Sequence, residues 1–216
     1  MTNERGEVMT DSQNQIKSED ELRSIYREPS EVARKKVLQA LDQYCQQMIA
    51  LSPFVCIATK SEDGSLDISP RGDPPGSIKI LSPTQLLIPD RYGNNRLDSL
   101  TNLTHNPEIS LLFLIPGVIE TLRVKGVATI IANDERLETC VINGKVPATG
   151  ILVDVQIAFL QCGKALKRSA LWEHTYKIER TELASFGAIL AEQTESESSA
   201  DELDCSIDDA YKNKLY

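Results

Sequence analysis

Apolar and polar positions change their rhythm several times along this chain, and each change predicts an element. From 31 to 50, Val37, Leu41, Tyr44, Cys45 and Met48 recur at helical spacing, which predicts one amphipathic helix. Pro29-Ser30 supplies its start and Ser52-Pro53 its stop. Phe54–Thr59 is then a continuous apolar run of strand length, and Asp63-Gly64 is a hairpin turn signal. Leu66 and Ile68 alternate with polar residues on the returning strand. Further strands are predicted at Thr84–Pro89, Glu108–Ile115, Ile119–Ile131 and Ile151–Leu160. In the long strand, Leu122, Val124, Ala128 and Ile130 share one face, and Thr121, Arg123, Lys125 and Thr129 the other. Gly126, in the middle, predicts a bulge or a close backbone approach. Short helices are expected around 97–103, 134–141, 163–172 and 181–191. Six strands with hairpin turns suggest a barrel or sandwich.

The chain is 216 residues long and 41% hydrophobic, enough for one cored domain with extensions. Three segments are expected: a polar, flexible extension over 1–28, a folded domain over 29–192, and an acidic, disordered tail over 193–216. The charge is uneven. Residues 190–216 account for -6 of the net -9, so the body is only mildly acidic. A basic nucleic-acid surface is absent from this pattern. No apolar run reaches membrane-span length, and the polar N-terminus lacks a signal core. Cys45, Cys56, Cys140, Cys162 and Cys205 are odd in number and widely spaced. That predicts reduced thiols, a cytoplasmic location and no metal site.

Four stretches carry candidate chemistry. Pro89–Arg96 (PDRYGNNR) lies between a strand and a helix. The helix start offers unpaired N–H groups and the positive end of the dipole to a phosphate. Arg91 and Arg96 suit bidentate phosphate pairing, although the same residues also suit a capped helix with solvated arginines. Ser69–Gly76 (SPRGDPPG) is a rigid strand end fit to face a planar heterocycle, or simply a stiff connection. Thr121, Arg123 and Lys125 form a polar row, as lining or as an exposed sheet face. Lys164, Lys167, Arg168 and the lone Trp172 fall on two helical turns, where the Trp stacks on a ring, a partner or the core. His105 and His174 are the only histidines and lack metal-ligand neighbours; HExxH, GxSxG and GxGxxG are all missing. Any reaction is then expected to rest on a cofactor.

Taken in order, FVCIATKSEDGSLDISPRGD, LLIPDRYGNNRLDSLTNL, NPEISLLFLIPG, ETLRVKGVATI and CGKALKRSALW resemble the pyridoxamine 5′-phosphate oxidase-like flavoproteins. The last block is similar to a subgroup of unassigned substrate. The resemblance spans about residues 30–175. It implies a mainly β domain with flanking helices, a six-stranded Greek-key split β-barrel, and a homodimer with flavin mononucleotide (FMN) at the subunit interface. It implies that Ser69, Pro70, Arg71 and Gly72 lie along the flavin ring, with Ile88, Pro89 and Asp90 near the ring or ribityl chain. Asn95 and Arg96 would hold the phosphate, Thr121 and Arg123 would reach the cofactor, and Lys164, Lys167 and Trp172 would come from the other subunit. The implied activity is FMN-dependent oxidoreduction of a small molecule by hydride transfer at flavin N5. One departure stands out. The family's vitamin B6 oxidases follow a C-terminal Trp with an Arg-rich segment, whereas Trp172 precedes EHTYKIER. The paired bases expected after the Asp-Gly turn are also missing. Alternatives are oxidation of pyridoxamine or pyridoxine 5′-phosphate, and non-catalytic flavin or haem binding.

Overall fold

The computed structural model describes residues 14–216, so the expectation for residues 1–13 lies outside the described residues. The chain divides after Lys36 into two units. The first holds α1 (Glu19–Ile25) and α2 (Glu31–Lys35). Ser18 and Ser30 cap them by accepting from Glu21 N and Ala33 N, which offsets two of the N–H groups a helix start leaves unpaired. The stretch from 14 to 28, expected to lack structure, therefore contains a short capped helix.

The predicted helix over 31–50 is broken. Leu38 exchanges backbone hydrogen bonds with Ala158, at 2.9 Å each way. Asp42 then starts a new helix, α3 (Gln43–Leu51), accepting from Tyr44 N at 3.1 Å and Cys45 N at 2.8 Å. The apolar spacing survives in α3, where Cys45, Met48 and Ile49 are buried.

The second unit is built on one antiparallel sheet: β1 (Phe54–Lys60), β2 (Leu66–Gly72), β3 (Lys79–Ser82), β4 (Gln85–Asp90), β5 (Glu108–Leu114), β6 (Thr121–Ala132) and β7 (Thr149–Gln161). Among the described residues the order is β2-β1-β5-β6-β7-β4-β3, with seven strands and no closing ladder between the two edges. This corrects the expected six-stranded barrel. The extra strand, β3, spans four residues before Pro83, too short for a readable alternation.

Register explains why the sheet is split. β5 pairs with β6 from Phe113↔Leu122 to Glu108↔Val127. β4 pairs with β7 over Thr149–Asp154, and those residues lie opposite the second half of β6, Val127–Ala132. One arm (β5, β1, β2) thus leaves the first half of the central ladder and the other (β4, β3) leaves the second. Between the halves, register shifts at Lys125/Gly126. A Cβ on Gly126 would sit 2.2 Å from Asp154 O, so a bulge and a close approach coincide there.

Both arms feed one core. Val55 and Ile57 of β1, Ile109, Leu111 and Phe113 of β5, Leu122 and Val124 of β6, Val153 of β7, and Leu86 and Ile88 of β4 belong to one buried cluster with α3. α4 (Asp98–His105) packs on β1, β2 and β6. After β7 come α5 (Lys164–Ser169), α6 (Phe186–Thr194) and α7 (Ala200–Asn213). The 193–216 stretch, expected to be disordered, contains α7. Its start is a capping box of Ser199 and Glu202. Its half-buried residues Leu203, Ile207 and Ala210 share one face. Asp204 accepts from Gly187 N of α6 at 2.6 Å. Among the described residues no helix is long and apolar enough to cross a membrane.

Candidate functional site

The ends of β2 and β4 flank a cleft of about 600 Å³, within the range of small-molecule sites. One wall is the end of β2 and the loop after it, from Asp67 to Pro74. The other is the end of β4, Ile88–Asp90, continued by the loop 91–97 into α4. Ala148 and Thr149, at the start of β7, close one side. Of the residues singled out in the sequence, Ser69, Pro70, Arg71, Gly72, Ile88, Pro89, Asp90, Asn95 and Arg96 all line this cleft.

Two ion pairs join the walls. Arg71 Nη2 lies 3.6 Å from Asp90 Oδ1, and Arg91 Nε donates to Asp73 Oδ2 at 2.9 Å. Each wall contributes one cation and one anion, so the ends of β2 and β4, which do not pair with each other, are held by exchanged charges. Arg71 also donates to Ser69 Oγ at 2.7 Å. Burial pushes the Asp90 carboxyl above its ordinary value, against the opposing pull of Arg71. Arg91, a sequence candidate for phosphate, is committed instead: besides Asp73 it donates to Cys140 O at 2.8 Å, and its guanidinium lies 5.7 Å from the Tyr216 ring centre.

The approach to α4 has unusual backbone. Asn95 and Leu97 both adopt left-handed φ, at 58° and 59°. Leu97 is the N-cap residue, and no side chain caps the first turn. A helix start without a side-chain cap is one that suits an anion. Arg96 projects at the surface and pairs with Asp98 at 2.8 Å, an exposed pair that exchanges readily for a better anion. Counting formal charges, the lining offers Arg71, Arg91 and Arg96 against Asp67, Asp73, Asp90 and Asp98. The cleft of a single chain thus carries no surplus of positive charge.

The remaining candidates lie elsewhere. Thr121 is buried at the start of β6 opposite Gln161. Arg123 is exposed, 5.8 Å from the Phe159 ring centre. Lys164 and Lys167 are exposed on α5, and Lys167 lies 3.9 Å from Glu173. Trp172 Nε1 donates to Val118 O at 2.9 Å. These five gather around the far end of the β6–β7 ladder, where Gly163 lets the chain pass against Ile119, and none lines the cleft. Sequence reasoning missed Thr149, whose strand carried no polar motif, and Tyr216, which sat in the acidic tail.

Ring-facing and phosphate-facing features of FMN both find counterparts in the cleft. Pro70 offers exposed apolar surface, Ile88 and Pro89 form a buried part of the β4 wall, and the uncapped α4 start offers N–H donors beside Arg96. The residues fit the group, with a shortage of cations for its phosphate. Among the described residues no cluster of metal-ligating side chains occurs.

Comparison with known proteins places the chain in a family. HupZ of Group A Streptococcus is 18% identical, over 56% of this chain and 93% of that one, with a TM-score of 0.45. A putative pyridoxamine 5′-phosphate oxidase from Lactobacillus delbrueckii is 17% identical, over 56% and 95%, with a TM-score of 0.44. An FMN-binding protein from Syntrophomonas wolfei is 8% identical, over 54% and 88%, with a TM-score of 0.41. No curated protein matches the chain. The family model described as pyridoxamine 5′-phosphate oxidase matches residues 41–150, which take in six of the seven strands and begin the seventh. With just over half of its length so matched, this chain belongs to the pyridoxamine 5′-phosphate oxidase family.

Proposed function

We propose that the cleft binds FMN and that the protein is a homodimeric, FMN-dependent oxidoreductase acting on a small molecule. The observation that carries this reading is the convergence of the Ser69–Gly72 strand end, Ile88–Asp90 and the uncapped α4 start on one cleft in a member of this family. In this reading Pro70, Ile88 and Pro89 bear on the ring and exclude water from it. Asn95, Arg96 and the first-turn N–H groups of α4 hold the phosphate. When bound, the flavin supplies hydride transfer at N5. Asp90, with its carboxyl raised by burial, keeps a proton at the cleft wall to higher pH than an ordinary aspartate.

A second copy of the chain supplies what one copy lacks. A phosphate dianion is poorly matched to a lining whose arginines already face carboxylates. Lys164, Lys167 and Trp172, with Arg123, form a cationic and aromatic patch away from the same chain's cleft. Brought in from a partner, they offset the deficit.

Flavin absorbance bands in the purified or FMN-reconstituted protein are the expected result. A colourless protein that takes up no added FMN overturns the reading. Arg96→Glu is expected to weaken FMN binding by at least about tenfold, since it sets a carboxylate beside the phosphate; unchanged affinity in a fluorescence titration refutes the phosphate site. The family's name also favours oxidation of pyridoxamine or pyridoxine 5′-phosphate. Against that substrate, the segment after Trp172 is short of free arginines: Arg180 is turned back to Leu183 O and Ala184 O at 2.7 and 3.0 Å. Turnover of either B6 phosphate in an oxidase assay would establish this second reading.

A further inference from the structure

We infer that Tyr216 is a positioning residue of the cleft, and that α7 is the strap that brings it there. This inference rests on the cleft being a ligand site, and its ligand half rests on the FMN reading. Arg91 and Asp73 stand on opposite walls and touch each other at 2.9 Å. Tyr216 lies beside this pair. Its ring lies over the Arg91 guanidinium at 5.7 Å, an arrangement in which the ring quadrupole attracts the cation. Burial, and then the nearby Asp73 charge, push its hydroxyl above the ordinary value. The backbone carbonyl of Tyr216 accepts from Lys145 Nζ.

Lys145 belongs to the same short loop as Cys140, whose carbonyl accepts from Arg91. That loop is fixed by its own tight turn. Ile142 and Lys145 bond to each other across Asn143 and Gly144, both with positive φ, as a two-residue hairpin turn requires. The loop therefore presents a rigid ledge on which Arg91 and Tyr216 both rest. Upstream, α7 is anchored where Gly187 comes so close that a Cβ there would lie 2.3 Å from Ala200 O. The path from α6 through α7 to Tyr216 is thus tied at both ends, and its far end lies behind the charge pair that spans the cleft.

The consequence is mechanical. Among the described residues no backbone ladder joins β2 to β4, so side chains help to set the spacing of the walls. Arg71–Asp90 is loose at 3.6 Å, whereas Arg91–Asp73 is short and backed by Tyr216. Undocking Tyr216 leaves Arg91 with Asp73 and Cys140 alone, exposes both to water and slackens the walls. By reciprocity, a ligand that needs the walls at this spacing favours the docked strap by the same factor that the strap favours the ligand.

Hydrogen exchange and FMN titration on the full chain test this. Without ligand, Tyr216→Ala is expected to speed amide exchange roughly tenfold in residues 68–76 and 88–97, on both walls. Tyr216→Phe keeps the ring over Arg91 and is expected to change those rates by less than about threefold. FMN affinity is expected to fall roughly tenfold in Tyr216→Ala, equivalent to about 1.4 kcal/mol, and FMN is expected to slow exchange over 200–216 in the wild type. Lys145→Ala, which touches neither wall pair, is expected to speed exchange over 200–216 and weaken FMN in the same direction. Wild-type exchange rates on both walls in Tyr216→Ala overturn the positioning role. Faster walls with unchanged FMN affinity overturn its ligand half. If the wild type takes up no FMN, the flavin reading falls, and the exchange of the two walls decides the role of Tyr216 alone.

Discussion

Asp90 is subject to two opposed influences, and burial outweighs the Arg71 charge 3.6 Å away. A carboxylate whose folded pKa lies above its unfolded value makes the native state bind the proton more tightly. Stability therefore rises as pH falls from the raised value toward the ordinary 3.8. Asp42 behaves in the opposite sense. The N–H of Cys45, and then that of Tyr44, hold its carboxyl below the ordinary value. Its contribution is present above 3.8 and is lost as pH falls through the lowered value. Two predictions follow from these signs. Asp90→Asn is expected to leave stability at neutral pH unchanged, or to raise it by up to about 1 kcal/mol, because a buried pair returns little beyond its desolvation. Asp42→Ala is expected to cost about 1 kcal/mol through the lost helix cap. Urea melts at pH 7 measure both, and a loss above about 2 kcal/mol for Asp90→Asn contradicts the first.

Among elements, the bulge in β6 is the most sensitive point. Any side chain at Gly126 meets Asp154 O at 2.2 Å, and Asp154 belongs to the register that carries β4. Gly126→Ala is expected to destabilise by about 1–3 kcal/mol and to disturb the cleft, because the shift propagates to the arm bearing Ile88–Asp90. A thermal melt together with the FMN titration separates the two effects. Much of this was legible in the sequence. The runs at 54–59, 108–115 and 151–160 announce β1, β5 and β7, because strands that feed a core carry apolar residues at least at every second position. Gly126 stood out for the same reason in reverse. The break at 36–42 was not legible, since it depends on Leu38 meeting Ala158, far along the chain. Nor was α7, where Leu203, Ile207 and Ala210 make a helical stripe hidden among acidic neighbours. Both loops of the cleft could be found from Pro, Gly and Arg. Which arginine stays available could not, because Arg91 and Arg96 differ only through Asp73, Cys140 and Tyr216.

For the whole molecule, the charge distribution bears on assembly. The net -9 is concentrated toward 190–216, and the cleft lining has no cationic surplus, while Lys164, Lys167 and Arg123 stand exposed elsewhere. If a partner provides those cations, FMN affinity must depend on protein concentration. Titrations below the dimer dissociation constant are expected to show weaker binding, and added salt to weaken it further. A monomer by size measurement that still holds FMN at full affinity removes the shared site.

The two left-handed residues before α4 have a cost that shows only when the loop is allowed to relax. Leu97 at φ 59° carries about 1–2 kcal/mol of steric penalty that a residue without a Cβ would not. Leu97→Gly is therefore expected to make the ligand-free protein more resistant to heat, by roughly 0.5–1 kcal/mol after the added chain entropy. The same change lets the 91–97 loop wander, so the anion site has to be assembled at each binding event. A variant that melts later and binds FMN more weakly is the expected pairing, read from a melting curve and a titration on one sample. If this loop receives the proposed FMN, it is then a loaded spring, cocked in the empty protein at the expense of its endurance.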